Sequence, residues 1–162
     1  MFESYSDRAR RVIFLARLES GTRGAEMIDV DDLLAALIIE DQSQITDTLS
    51  AMLGTSGTFV GHQEHQPFLP SEVTTTVLAA IQQSPPRSEA IPESTDMPIS
   101  PALSETLAAA SELRERLQSK EVRPLHLFAA VLGQKSKGAQ LLRDAGITEE
   151  RIVDEIRRED AF

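Results

Sequence analysis

Histidine and carboxylate are the residue types with which this chain could do chemistry, because its 162 residues include three histidines and no cysteine. Two of the histidines stand together as His62-Gln63-Glu64-His65. Two imidazoles and a carboxylate could bind a transition metal. The spacing lacks helical context and a third firm ligand, so solvated loop residues account for it better. The third histidine, His126, lies one turn into an apolar helix, where the expectation is a partly buried ring bonded to a carbonyl or to the facing half of the molecule. Asp29, Asp31 and Asp32 form the densest carboxylate group. At a helix start they cap the backbone and suit the helix dipole; the alternative is a contact for a basic group on a partner. Arg8, Arg10, Arg11 and Arg17 make a basic cluster over two helical turns, read as a solvated face pairing with the acidic excess or as a dock for an acidic adaptor. Gly54-Thr55-Ser56-Gly57 lacks the lysine and preceding strand of a phosphate loop. There is no His-Glu-x-x-His and no nucleophile elbow. No catalytic residue, metal site or cofactor is therefore expected, and thiol chemistry is excluded.

The elements that must position these residues come in two copies. Ile28-Asp29-Val30-Asp31-Asp32-Leu33-Leu34-Ala35-Ala36-Leu37-Ile38 recurs, 94 residues later, as Val122-Arg123-Pro124-Leu125-His126-Leu127-Phe128-Ala129-Ala130-Val131-Leu132. In each, apolar residues fall at i, i+1, i+4 and i+5, a broad stripe on one helix face. The Ala-Ala pairs permit close approach of another helix. The same offset matches Ser6 to Ser100, Ile13 to Leu107 and Ala16 to Ala110. A repeat at fixed offset is the mark of a duplicated unit.

Along the chain, Ser6 caps a first helix that should end near Ser20, at Gly21 and Gly24. Asp29 caps the central helix. Ile45, Leu49, Met52 and Leu53 mark a third helix that stops at Gly54. Residues 54–70 form a long loop, with Phe59, Val60, Phe68 and Leu69 expected to fold back over the core as a plug rather than to offer an exposed apolar patch. A fourth helix starts near Ser71 with Val73, Val77 and Ile81 every four residues. Residues 84–98 hold four of the eight prolines and read as an extended linker. The second half restarts at Ser100-Pro101, a cap with Pro at the first helical position. Pro124 opens the second central helix and Gly133 closes it. Leu141-Leu142 marks a short helix ending at Gly146, and Thr148 caps the last. The expectation is an all-α fold in one domain over 1–162. It has eight helices as two pseudo-two-fold-related four-helix repeats, 1–83 and 99–158, joined by the 84–98 linker.

A chain of this length can bury roughly 70% of its unfolded surface. With aromatics at 4%, aliphatics and alanine must fill that core. Sixteen basic residues face 26 acidic ones, a formal charge of −10. That argues against non-specific binding to nucleic acid or anionic membranes. The N-terminus lacks the blocks of a signal peptide, and no apolar run approaches the ~20 residues that span a bilayer; a cytoplasmic address is expected.

The opening Phe2-Glu3 through Asp7-Arg8-Ala9-Arg10-Arg11-Val12-Ile13 resembles the start of a Clp N-terminal domain. So do Ile28 through Leu37, and Leu141-Leu142-Arg143-Asp144-Ala145-Gly146-Ile147 with the helix after it. Pro124-Leu125-His126-Leu127 is similar to the disaggregase branch of that family. The resemblance covers Met1 to about Arg158 and implies the double four-helix repeat found at the front of Clp-type AAA+ unfoldases, or as a stand-alone protein. It implies a non-catalytic module that binds adaptors, or unfolded or tagged substrate segments, and works with a Clp ATPase. Some members capture phosphoarginine through an acidic residue at the start of each second helix, in a Gly-Thr-Glu-His pattern. Here Asp31 and Asp32 fall at the first Glu and His positions, and Leu125 and His126 at the second. A carboxylate takes a guanidinium bidentately and leucine cannot, so at most half of that specificity remains. These four are the candidate partner-binding residues, with the seams between the halves as the docking surface. The other readings are an excised N-terminal domain of a longer Clp ATPase, or a small hydrolase or metal-dependent regulator on the same fold.

Overall fold

The computed structural model describes residues 2–42, 67–83, 89–92 and 96–161. Seven α-helices lie among these residues: α1 (Asp7–Thr22), α2 (Val30–Asp41), α3 (Ser71–Gln82), α4 (Pro101–Leu117), α5 (Pro124–Leu132), α6 (Lys137–Asp144) and α7 (Glu149–Asp160). The helix expected over Ile45 to Leu53 lies outside the described residues, as do Phe59, Val60, His62, Glu64 and His65. Of the expected plug, Leu69 is buried and Phe68 packs partly covered against the core.

Short polar side chains start most helices. The Ser6 hydroxyl accepts from the Ala9 N–H at 3.1 Å, Ser100 from Leu103 at 3.0 Å, Ser136 from Ala139 at 3.1 Å and Thr148 from Arg151 at 3.2 Å. Each satisfies one of the amide donors left free in a first helical turn. One end differs from expectation. Gly21 lies inside α1 rather than ending it: a Cβ there would sit 3.2 Å from the Ile91 carbonyl oxygen and against the Arg17 guanidinium. The turn out of α1 is made by Gly24, at φ 70°. The α4 helix closes at Gln118, which takes the left-handed conformation, φ 55°.

The core is built on α2 and α5. Leu33 to Ile38 and Leu127 to Leu132 are all buried, so neither helix has a solvent face over those turns. They touch each other. Helices α1 and α3 pack on α2, α4 and α7 pack on α5, and α6 touches α2, α3 and α5. Burial of about 25 cal/mol per Å² of apolar surface is the dominant stabilising term for such a core.

No strand occurs among the described residues, but two isolated parallel bridges tie the chain across this core. Tyr5 pairs with Val122: the Ser6 N–H donates to the Val122 carbonyl at 2.9 Å and the Val122 N–H to the Ser4 carbonyl at 2.8 Å. Ile28 pairs with Ile99: the Ser100 N–H donates to the Ile28 carbonyl, and the Ile28 N–H to the Pro98 carbonyl, both at 2.9 Å. The described parts of the 84–98 segment are tied down. The Ile91 N–H donates to the Gly21 carbonyl at 2.9 Å, Arg17 donates to the Pro92 carbonyl at 2.8 Å, and the Ser20 hydroxyl lies 2.9 Å from the Met97 sulfur.

Candidate functional site

Of the four residues singled out from the sequence, two are internal. Asp32 is fully buried at the third position of α2. One of its oxygens accepts from the Asp29 N–H at 2.9 Å, closing a capping box. The other is held by Arg23, whose Nε donates at 3.1 Å. Burial pushes the Asp32 carboxyl up, opposed by the Asp29 amide and Arg23. His126, also fully buried, sits at the third position of α5. Its Nδ1 accepts from the Arg123 N–H at 2.9 Å, and its Nε2 is 3.0 Å from the Ser119 hydroxyl. The expected partner, a carbonyl or the facing half, is replaced by a backbone N–H and a hydroxyl a few residues earlier in the chain. Burial and the neighbouring Arg123 bring its pKa down to about 4.

Ser119, His126 and Asp160 together invite comparison with a hydrolytic triad, and the hydrogen bonds argue against one. Because Nδ1 accepts from an amide, the neutral ring carries its proton on Nε2 and donates it to Ser119. The Ser119 hydroxyl in turn donates to Asp160 at 2.7 Å. A nucleophilic serine needs a ring nitrogen lone pair facing its proton; here it meets an N–H. Burial acts to raise the Asp160 carboxyl, but the Ser119 and Arg123 hydrogen bonds outweigh it and hold it low. Arg123 reaches Asp160 at 2.7 Å and Glu159 at 3.1 Å, so the network fastens the end of α7 to the start of α5.

Asp31 and Leu125 face outward-leading space. Asp31 is half-buried, and its Oδ1 accepts from the Gly138 N–H at 3.2 Å, near the start of α6. Leu125 is buried and lines a cleft of about 370 Å³ together with Pro67, Phe68, Arg8, Asp41, Glu155 and Glu159. Arg8 is joined through two nitrogens to Glu40, a carboxylate that is itself buried, with its Nη2 at 3.0 Å. Burial opposes the charge on Arg8, and Glu40, Glu159 and Asp41 more than restore it. Asp41 receives the Phe68 and Leu69 N–H groups at 2.8 and 3.0 Å, which fixes the chain as it approaches α3.

A second cleft, of about 490 Å³, opens at the other end of the α2–α5 pair, between Asp29, Val30, Ala102, Glu105, Gln134 and Lys135. A shift of 94 residues takes two residues that line the first cleft to two that line the second, Arg8 to Ala102 and Asp41 to Lys135, and takes Glu40, the partner of Arg8, to Gln134. The second cleft therefore lacks the ion pair that braces the first.

The basic cluster is less solvated than expected. Arg8 reaches Glu40 and Arg17 reaches Pro92, while Arg10 holds the Phe2 and Glu3 carbonyls at 3.3 Å. The sequence reading did not single out Glu155, Glu159 or Asp41. Glu155 and Glu159 are ordinary charged residues on the amphipathic α7, Asp41 is buried at the end of α2, and only the packing of α7 and of the chain before α3 brings them together. No group of three metal-ligating side chains occurs among the described residues. No helix among them is long and apolar enough to cross a membrane.

The fold so described is that of a Clp N-terminal domain. No family model and no curated protein matches the chain. Among solved structures it is similar to the N-terminal domain of the caseinolytic protease associated chaperone ClpD from Arabidopsis thaliana, at 21% identity and TM-score 0.59 over 95% of each chain. It is similar to the N-terminal domain of Hsp104 from Candida albicans, at 15% identity and TM-score 0.61 over 94% of this chain and 88% of that one. A chain from structural work on a malarial protein secretion system aligns with TM-score 0.69 at 17% identity, over 96% of this chain and 94% of that one.

Proposed function

We propose that this chain is a non-catalytic binding module of the Clp type, which holds adaptor proteins or unfolded or tagged substrate segments for a Clp-type ATP-dependent unfoldase or protease. The chain is read as a duplicated bundle, 1–83 and 99–158. The Tyr5–Val122 and Ile28–Ile99 bridges support this, because a 94-residue shift exchanges them: Tyr5 becomes Ile99 and Val122 becomes Ile28. Such exchange is what a two-fold relation between halves produces.

The observation that carries the reading is the pair of clefts at opposite ends of α2 and α5, in a fold shared with the ClpD and Hsp104 N-terminal domains. Clefts of a few hundred Å³ between helices are where ligands of such bundles lodge. The Asp31 carboxylate is engaged with α6 and Leu125 is apolar, so the reading does not include phosphoarginine capture. Asp32 and His126 then serve by holding the starts of α2 and α5, and Leu125 by lining a seam. A cytoplasmic address goes with this reading.

Fluorescence anisotropy with a labelled, permanently unfolded protein, and with a purified Clp-type ATPase, tests it. Micromolar binding that Leu125→Arg weakens supports the proposal. No binding to either at a protein concentration of about 100 μM, well above the micromolar range of a weak specific complex, overturns it.

A further inference from the structure

We infer that the cleft over Leu125 takes an unmodified basic side chain of an extended polypeptide and rejects a phosphorylated one. This rests on the binding role proposed above and names what one of its seams would hold. Leu125, Phe68 and Pro67 make up the apolar part of the cleft lining. A lysine or arginine lays its methylene stem on such a surface and keeps its charged end in more polar surroundings.

The rim supplies the counter-charge. Glu155 and Glu159 lie one turn apart on α7, 29% and 36% exposed, and both line the cleft. Side chains four apart on a helix are neighbours, with Cβ atoms about 5–6 Å apart, so one cation can meet both. The guanidinium groups nearby are already engaged. Arg8 is committed to Glu40, Arg123 is divided between Glu159 and Asp160, and Arg158 pairs with Glu155 from an exposed position. Of the charged side chains that line the cleft, Asp41, Glu155 and Glu159 are carboxylates and Arg8 is a guanidinium, so its lining is acidic beside the apolar Leu125, Phe68 and Pro67. A cation gains there, and a phosphate, at close to two negative charges, is repelled. The second cleft differs in that respect, because Lys135 stands where Asp41 stands in the first.

The test is anisotropy with a labelled ten-residue apolar peptide carrying one central arginine, and the same peptide with citrulline or phosphoarginine in its place. The chain is measured as it is, as Glu155→Gln, and as Glu105→Gln in the other cleft, with thermal melts to verify folding. We expect the arginine peptide to bind about five-fold or more tighter than either analogue. Glu155→Gln should weaken it about three-fold and Glu105→Gln should leave it unchanged, effects of the size expected for rim charges. Equal binding of the three peptides, tighter binding of phosphoarginine, or a loss confined to Glu105→Gln overturns the inference and leaves the binding role standing. Failure of every peptide to bind overturns both.

Discussion

His126 holds at the start of α5 the place that Asp32 holds at the start of α2. Each is the third residue of its helix, each is fully buried, and each accepts a hydrogen bond of 2.9 Å from the amide of the residue that caps it, Arg123 or Asp29. One helix start does this with a carboxylate braced by Arg23, the other with a neutral imidazole braced by Ser119. The chemical difference makes the two helix starts respond differently to acid.

The His126 ring, with a pKa of about 4 against the usual 6.5, refuses a proton that the unfolded chain accepts. The unfolded state therefore binds more protons between those values, and stability falls as pH drops from about 6.5 towards 4. The limiting slope is about 1.4 kcal/mol per pH unit. Arg123 and Arg114 act against the protonated ring and Asp160 for it. His126→Asn keeps an acceptor for the Arg123 amide and removes the titration. Urea midpoints measured from pH 7 to 5 should therefore fall more steeply for the original chain than for the variant. An imidazole that titrates near 6.5 by NMR in the folded protein would contradict this.

Gln118 closes α4 in a left-handed conformation, φ 55°, with its side chain exposed. Residues with a Cβ are strained there, and glycine is not. Gln118→Gly should raise stability by about 0.5–1 kcal/mol, seen as a higher urea midpoint with an unchanged slope. A lower midpoint would mean that the glutamine side chain makes a contribution its exposure does not suggest.

Helix starts were legible because they are local. Ser6, Asp29, Ser100, Pro124 and Thr148 each begin or cap a helix as their types and neighbours suggest. One helix end was less so. Gly21 looked like a stop, and only the distant Ile91 carbonyl lying against it shows why glycine is needed inside α1. The aliphatic runs of α2 and α5 predicted one buried face, and packing against several neighbouring helices buries the others as well. The partners of the charged residues could not be read from the sequence: Arg8 meets Glu40, Arg23 meets Asp32, and Asp31 reaches Gly138 across 107 residues of chain. Nothing in the composition of a helix face names the face opposite. The candidate cleft depends on such pairings, so Leu125 was singled out through the family resemblance while Glu155 and Glu159 were not.

Arg8 and Arg10 provide a contrast between a covered and an open ion pair. Glu40, the partner of Arg8, is 2% exposed, whereas Arg10 and Asp7 are 51% and 94% exposed at 3.7 Å. Removing Arg8 leaves a buried carboxylate short of its guanidinium, which costs several kcal/mol for a fully buried pair and less here because Arg8 is 30% exposed. Arg8→Ala should lower stability by about 1–3 kcal/mol. Arg10→Ala should change it little, as for most exposed pairs. Equal effects in paired thermal melts would remove the argument that α1 is fastened to α2 through Glu40.

Gly138 and Asp31 form the contact that seats α6 on α2. A Cβ at residue 138 would lie 2.6 Å from Leu34 Cδ2, 2.7 Å from Asp31 Oδ1 and 3.2 Å from Ile81 Cδ1. Replacing glycine by alanine inside a helix ordinarily helps by up to about 1 kcal/mol. At this position the sign should reverse, with a loss of about 1–3 kcal/mol from overpacking. Asp31→Ala should cost about 1 kcal/mol through the lost hydrogen bond to the Gly138 amide. It should leave peptide affinity at the Leu125 cleft unchanged, since Asp31 does not line it. Because the alanine methyl group would press on the Asp31 carboxylate, the two substitutions share a partner and should not add. The double variant should lose less than the sum of the singles, and the Leu34 clash should keep it below the original chain. Strict additivity in a double-mutant cycle would show that α6 is held by something other than this contact.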